Sequence, residues 1–163
     1  MTSRIAAGLA ATAAFAAALS PLAADAGVGR WTSGYGQGIN EATVENSAGT
    51  TFYVSCPDAG LNQPPSLTLQ PKALRGGANM ASVGALVTIG GQNTAVTFQR
   101  KVLDQNQVIF TWDATTMPAK RALGALIGRM ERGGSVTVSL PSQSIRETFT
   151  LAGSREALAG CRA

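Results

Sequence analysis

A chain of 163 residues without a single histidine lacks the commonest general base and a leading metal ligand. That excludes Ser-His-Asp and Cys-His nucleophile systems and most zinc and iron sites. Its 13 basic and 9 acidic side chains leave a net charge of +4, an excess that favours anionic surfaces without calling for nucleic acid.

Residues 1–26, MTSRIAAGLAATAAFAAALSPLAADA, open with Arg4 and continue as an uncharged apolar run from Ile5 to Leu19. A membrane-spanning helix needs roughly 20 apolar residues, whereas the core of a secretory signal needs only about 7 to 15. The run therefore reads as a cleavable signal peptide. Ser20-Pro21 breaks the helix, and Ala24-Asp25-Ala26 supplies small residues for cleavage after Ala26. Residues 27–163 are then expected to form a single β-rich domain, periplasmic or secreted and not transmembrane. In that oxidising compartment the two cysteines, Cys56 and Cys161, are expected to pair. Such a bridge closes a loop of roughly 105 residues, a constraint of about 4–5 kcal/mol on the chain-entropy model.

Along the chain, GVGRWTSGYGQG (27–38) reads as a loop or an irregular edge strand around Trp31. Ile39 to Glu45 and Thr50 to Cys56 alternate as the arms of a hairpin around Asn46-Ser47-Ala48-Gly49. The prolines from Pro57 to Pro65 impose a loop, after which Ser66 to Gln70 is a short strand. Lys72 to Ser82 reads as a loop. Val83 to Ile89 and Thr94 to Arg100 form a second hairpin around Gly90-Gly91-Gln92-Asn93, and a turn at Asp104-Gln105-Asn106 leads into a strand over Gln107 to Trp112.

The period then changes from two to 3.6. Thr115-Thr116 and Pro118 signal a helix start, and Ala119, Leu123, Leu126, Ile127 and Met130 fall on one face. This predicts an amphipathic helix over about 117–132, ended by Gly133-Gly134. Two strands, Ser135 to Leu140 and Gln143 to Leu151, and a short C-terminal helix after Gly153-Ser154 complete the chain. The expected fold is mainly β: an antiparallel, sandwich-like domain with one amphipathic helix, a short C-terminal helix and one disulfide.

Candidate chemistry is sparse. No Ser-x-x-Lys, Gly-x-Ser-x-Gly or P-loop pattern occurs, so no catalytic residue, cofactor site or metal-ligand set is assigned. Glu41 and Glu45 share a strand face, but four residues at about 3.3 Å each hold their backbones about 13 Å apart, too far for glycoside hydrolysis. Gly34, Gly36 and Gly38 lack the strand-helix setting of a phosphate loop and read as loop flexibility. Gly124 and Gly128 read as a device for laying the helix closely on the sheet, with a helix-helix dimer contact as the alternative. Trp31 and Tyr35 are a candidate stacking platform, and Trp31 alternatively plugs one end of the β-domain. Arg121, Arg129 and Arg132 recur at helical spacing as a candidate surface for polyanions.

The series KRALGALIGRMERGG, SVTVSL, SIRETFTL and AGSREALAGC (120–161) resembles the closing module of the invasion-associated locus B family of bacterial exported proteins. There, a helix with a Leu-x-x-Leu pattern runs through glycine into a hairpin and a Phe-x-Leu-x-Gly-x-x-x-Ala-Leu segment. The resemblance implies an envelope or periplasmic β-domain without catalysis, and it transfers no catalytic residue. The expected function is a non-catalytic, exported binding module whose partner is a protein or an anionic cell-envelope component. The alternative is an inhibitor or immunity factor that inserts Gly34–Gly38 or Pro57–Pro65 into an envelope-active hydrolase.

Overall fold

A computed structural model describes residues 28–103 and 106–161; the expected signal peptide at 1–26 and part of the expected turn at 104–106 lie outside the described residues. The strands are β1 (Thr32–Gly36), β2 (Ile39–Glu45), β3 (Thr51–Pro57), β4 (Ser66–Gln70), β5 (Met80–Ile89), β6 (Gln92–Val102), β7 (Val108–Asp113), β8 (Ser135–Leu140) and β9 (Ile145–Thr150). They form one antiparallel sheet in the order β1-β2-β3-β4-β7-β6-β5-β8-β9. The layers that face each other across the core are thus halves of one curled sheet. Period-two alternation selects its inner face: Phe52, Val54 and Cys56 on β3, Val83, Ala85, Val87 and Ile89 on β5, and Val136, Val138 and Leu140 on β8 are all buried.

Turn chemistry fixes the register. Gly90 and Gly91, both at positive φ, make a two-residue hairpin turn, so β6 begins at Gln92. Gln37 and Gly38 do the same between β1 and β2, which makes the Gly-rich segment a regular strand. β5 starts at Met80, inside the segment expected as loop, and reaches Val83 through a register shift.

Two connections skip strands, and each covers one end of the sheet. Residues 71–79 pass from β4 to β5 beyond β7 and β6, held by the Arg75–Gln107 bridge, by Gly76 N donating to Asn106 O (2.8 Å) and by Val102 N donating to Asn79 Oδ1 (2.8 Å). At the other end the helix α1 (Met117–Met130) carries the chain from β7 to β8. Thr116 caps it, its side chain accepting from Ala119 N at 3.3 Å, and Pro118 sits in the first turn. Helical geometry ends at Met130, with Glu131 as the C-cap, two residues before the expected boundary. Leu123, Leu126, Ile127 and Met130 join the same core as the inner strand faces. The outward residues of β5 and β6, Leu86, Ala95 and Thr97, stay exposed, so α1 packs on the inner side of the curl.

The two margins of the sheet meet around Trp31. Its backbone N–H donates to Ala152 O (2.9 Å) and its indole N–H to Thr150 O (2.8 Å). Phe52 of β3 stacks on Phe149 of β9 with ring centroids 5.4 Å apart, and Trp31 meets Phe52 edge-on. Beyond β9, Gly153 at positive φ turns the chain into the short helix α2 (Ser154–Ala157), whose Ser154 Oγ donates to Met130 O (2.8 Å). A 3-10 turn then delivers Cys161 to Cys56, Cα to Cα 5.2 Å, closing the expected disulfide across 105 residues.

Candidate binding surfaces at the helix end of the sheet

The registers Ile39–Pro57, Ser55–Ser66 and Ser66–Asp113 place the β1–β2 hairpin tip, Cys56 and the entry to α1 at one end of the sheet. That end gathers most of the features the sequence singled out: Tyr35, the two candidate insertion loops, the disulfide and the basic helix.

Trp31 and Tyr35 separate: the joint platform is corrected, and of the two readings of Trp31 the plug is the one the structure bears out. Trp31 is 3 % exposed, committed to the meeting of the sheet margins and to its two carbonyl acceptors; it is a plug, with no ring face left for a ligand. Tyr35 is 64 % exposed, and its hydroxyl donates to Asp58 Oδ2 (2.8 Å). This hydrogen bond, then the neighbouring negative charge, raises the phenol above its ordinary value of 10.0, because the phenolate would lose its acceptor and face the carboxylate. Asp58 N also donates to Gly38 O (2.7 Å), and Leu61 N donates to Asp58 O (2.9 Å). The loop after β3 is thereby braced against the hairpin tip, with Leu61 itself exposed.

On α1, the glycine reading is corrected. Gly124 is exposed with no atom within 4 Å of where a Cβ would stand, and the nearest such atoms at Gly128 belong to Arg132 at 3.7 Å. The steps from Met117 to Arg121, Gly124 and Gly128 follow the helical repeat on the side opposite Leu123, Leu126 and Met130. The glycines therefore thin the outward face. Arg121 and Arg132 are exposed there, as is Lys120 on the flank. Arg129 is half-buried and tethered, donating to Thr94 Oγ1, Gln92 Oε1 (3.4 Å) and Ala125 O (3.4 Å). Between residues 117 and 132 four basic side chains face one acidic one, which concentrates most of the net charge of +4 on this element.

Arg100 was not anticipated as an interior residue. It lies on the inner face of β6 in step with Val96 and Phe98, 6 % exposed, and its guanidinium donates to Gly76 O and Ala78 O. Its parity with those two residues was the available signal. The contact anchors the crossing segment 71–79 at the end opposite α1. Among the described residues no cluster of Cys, Asp and Glu has the makings of a metal site, and no helix is long and apolar enough to cross a membrane.

A single antiparallel sheet curled on itself, closed by an aromatic plug and a disulfide-fastened tail, with one basic helix over an end, defines a small disulfide-linked β-domain. The family model described as YfjT matches residues 29–158. The chain belongs to the YfjT family. This corrects the resemblance to the invasion-associated locus B family, which rested on the ending after residue 120; the matching family model takes in all nine strands and α1. A helix running through glycine into a hairpin is a local solution that unrelated β-domains share. No curated protein and no solved structure matches the chain.

Proposed function

We propose that this protein is an exported, non-catalytic binding module that takes an anionic partner on the outward face of α1. The observation that carries the reading is the exposed ridge of Arg121 and Arg132, flanked by Lys120 and thinned by Gly124 and Gly128. Each interior glycine costs a helix about 1 kcal/mol relative to alanine; no neighbouring side chain fills the space at Gly124, and at Gly128 the Arg132 guanidinium, 3.7 Å from where a Cβ would stand, lies over the bare helix. The gap lets an anionic surface approach the helix axis while the arginines reach around it. Absence of histidine and the engagement of both cysteines in the bridge support a non-catalytic role. Export rests on the signal-like residues 1–26, and the disulfide and the lack of a spanning helix among the described residues accord with it.

The test uses vesicles containing about 30 % phosphatidylglycerol, with neutral vesicles as control. The mature protein should co-sediment with the anionic vesicles at low salt, and Arg121→Glu with Arg132→Glu should abolish this. Equal binding by the double variant refutes the reading. N-terminal sequencing of exported protein should give Gly27, retention of residues 1–26 overturns the cleavage, and recovery of the protein only from the cytoplasm removes the export part.

One observation favours the inhibitor reading as a second. The two candidate insertion loops are braced together by the Tyr35–Asp58 and Asp58–Gly38 hydrogen bonds, the pre-organisation an inserted wedge needs. Recovery of one stoichiometric hydrolase from an envelope extract, lost with Asp58→Ala, would select it over the anionic-surface reading.

A further inference from the structure

The sheet closes at Trp31, on the first half of the stretch from Trp31 to Gly36, and stops. In a two-residue hairpin the residues flanking the turn exchange both hydrogen bonds, so Gly36 and Ile39 form a bonded pair, as do Gly34 with Glu41 and Thr32 with Thr43. The alternate residues Trp31, Ser33 and Tyr35 then point their backbone N–H and C=O away from β2. Trp31 finds Ala152 there. Gly153 immediately diverts the chain into α2, which packs back against β1 and β2, and among the described residues no strand other than β2 pairs with β1. Ser33 and Tyr35, both exposed, are left with outward backbone groups on a margin of sequence TSGYG that carries neither charge nor proline.

Sheet margins are ordinarily blunted by charge, proline or cover. The opposite margin follows this rule: β9 carries Arg146 and Glu147, and Glu147 Oε2 accepts from Asn46 Nδ2 at 2.7 Å. β1 breaks it. Gly36 is a further sign, since its φ is not positive and no atom lies within 4 Å of where its Cβ would stand. Neither backbone geometry nor space within the chain asks for glycine, and strand glycines often mark the close approach of another backbone.

We propose that the free half of β1 pairs antiparallel with β1 of a second copy, about a two-fold axis through Gly34. That register sets Ser33 opposite Tyr35 of the other copy and Tyr35 opposite its Ser33, with about four main-chain hydrogen bonds. A second copy fits because the margin is uncharged and the two exposed backbone stretches are complementary in this register; association through the basic face of α1 would instead oppose like charges. The contact is short, so the pair is weak, with half-association at roughly 0.1–1 mM protein. It does not depend on what α1 binds.

Sedimentation of the full mature protein across that concentration range tests the proposal, with amide hydrogen exchange as a local readout. Wild type should shift toward a dimer, and the Ser33 and Tyr35 amides should become protected as concentration rises. Ser33→Pro removes an outward donor without touching the bonds to β2, and should weaken association at least tenfold. Ser33→Lys should act likewise and serves if the proline variant fails to fold. A wild type that stays monomeric throughout overturns the proposal. So does a dimer indifferent to a folded Ser33 variant, which would place the contact elsewhere.

Discussion

Within β1 and the residue before it, one stretch of chain changes from closed wall to free margin. Trp31 and Tyr35 are four residues apart, both aromatic and both set among glycines, yet one is sealed in the core and the other is mostly exposed. The cause lies outside the strand: β9 and the residues after it reach Trp31, then Gly153 turns the chain inward before it can reach Ser33. An aromatic in a Gly-rich strand is therefore neither plug nor platform by itself. What runs beside it decides.

Substitutions can break or sharpen this contrast. The largest effect is expected from Trp31→Ala, which removes the plug against Phe52 and leaves Thr150 O without its indole donor; about 3–5 kcal/mol of stability should be lost in chemical denaturation. If Trp31→Ala costs under 1 kcal/mol, the closed half is not what holds the curl. Replacing Cys56 and Cys161 together by serine should cost about 2–5 kcal/mol by the same measurement, with the native fold retained in circular dichroism. Tyr35→Phe, on the free half, should change stability by no more than about 0.5 kcal/mol, because only an exposed hydrogen bond is removed.

The smallest expected effect is in pH. Tyr35, through its bond to Asp58, and Tyr53, chiefly through burial, both have phenols raised above 10.0 in the folded chain. The neutral forms are thus favoured by folding, so their contribution is complete below pH 10.0 and is lost as pH rises through the raised values. The part of the thermal midpoint that these two phenols supply should decline on the alkaline side of that value. In absorbance titration Asp58→Ala should bring Tyr35 back toward 10.0, and an unchanged titration would disconnect the pair.

Much of the fold was legible because its signals are local. The period-two runs at 83–89 and 135–140, the hairpin at Asn46–Gly49 and the cap at Thr116 each state their own structure. The disulfide was legible by arithmetic, since two cysteines in a chain with a signal-like start have one way to pair. What sequence reading missed depends on distant chain. β1 reads equally as loop or irregular edge strand until β2 is placed beside it, and Met80 to Ser82 look irregular until Arg100 supplies a register. Gly124 and Gly128 suggest close packing on the sheet by their type, although their spacing from Leu123 and Met130 already puts them outside. For the candidate surface, composition located the basic residues, but only packing separates the tethered Arg129 from the exposed Arg121 and Arg132.

The closures of this domain also set a schedule. Trp31 with Ala152, Phe52 with Phe149 and Cys56 with Cys161 each join early residues to ones synthesised about a hundred positions later. At roughly 5–20 residues per second, the first hairpin waits about 5–20 s with its inner face bare. During that interval Phe52 and Val54 lie open to any other nascent chain. Only when residues near 150 arrive can Phe149 and the chain around it cover that face.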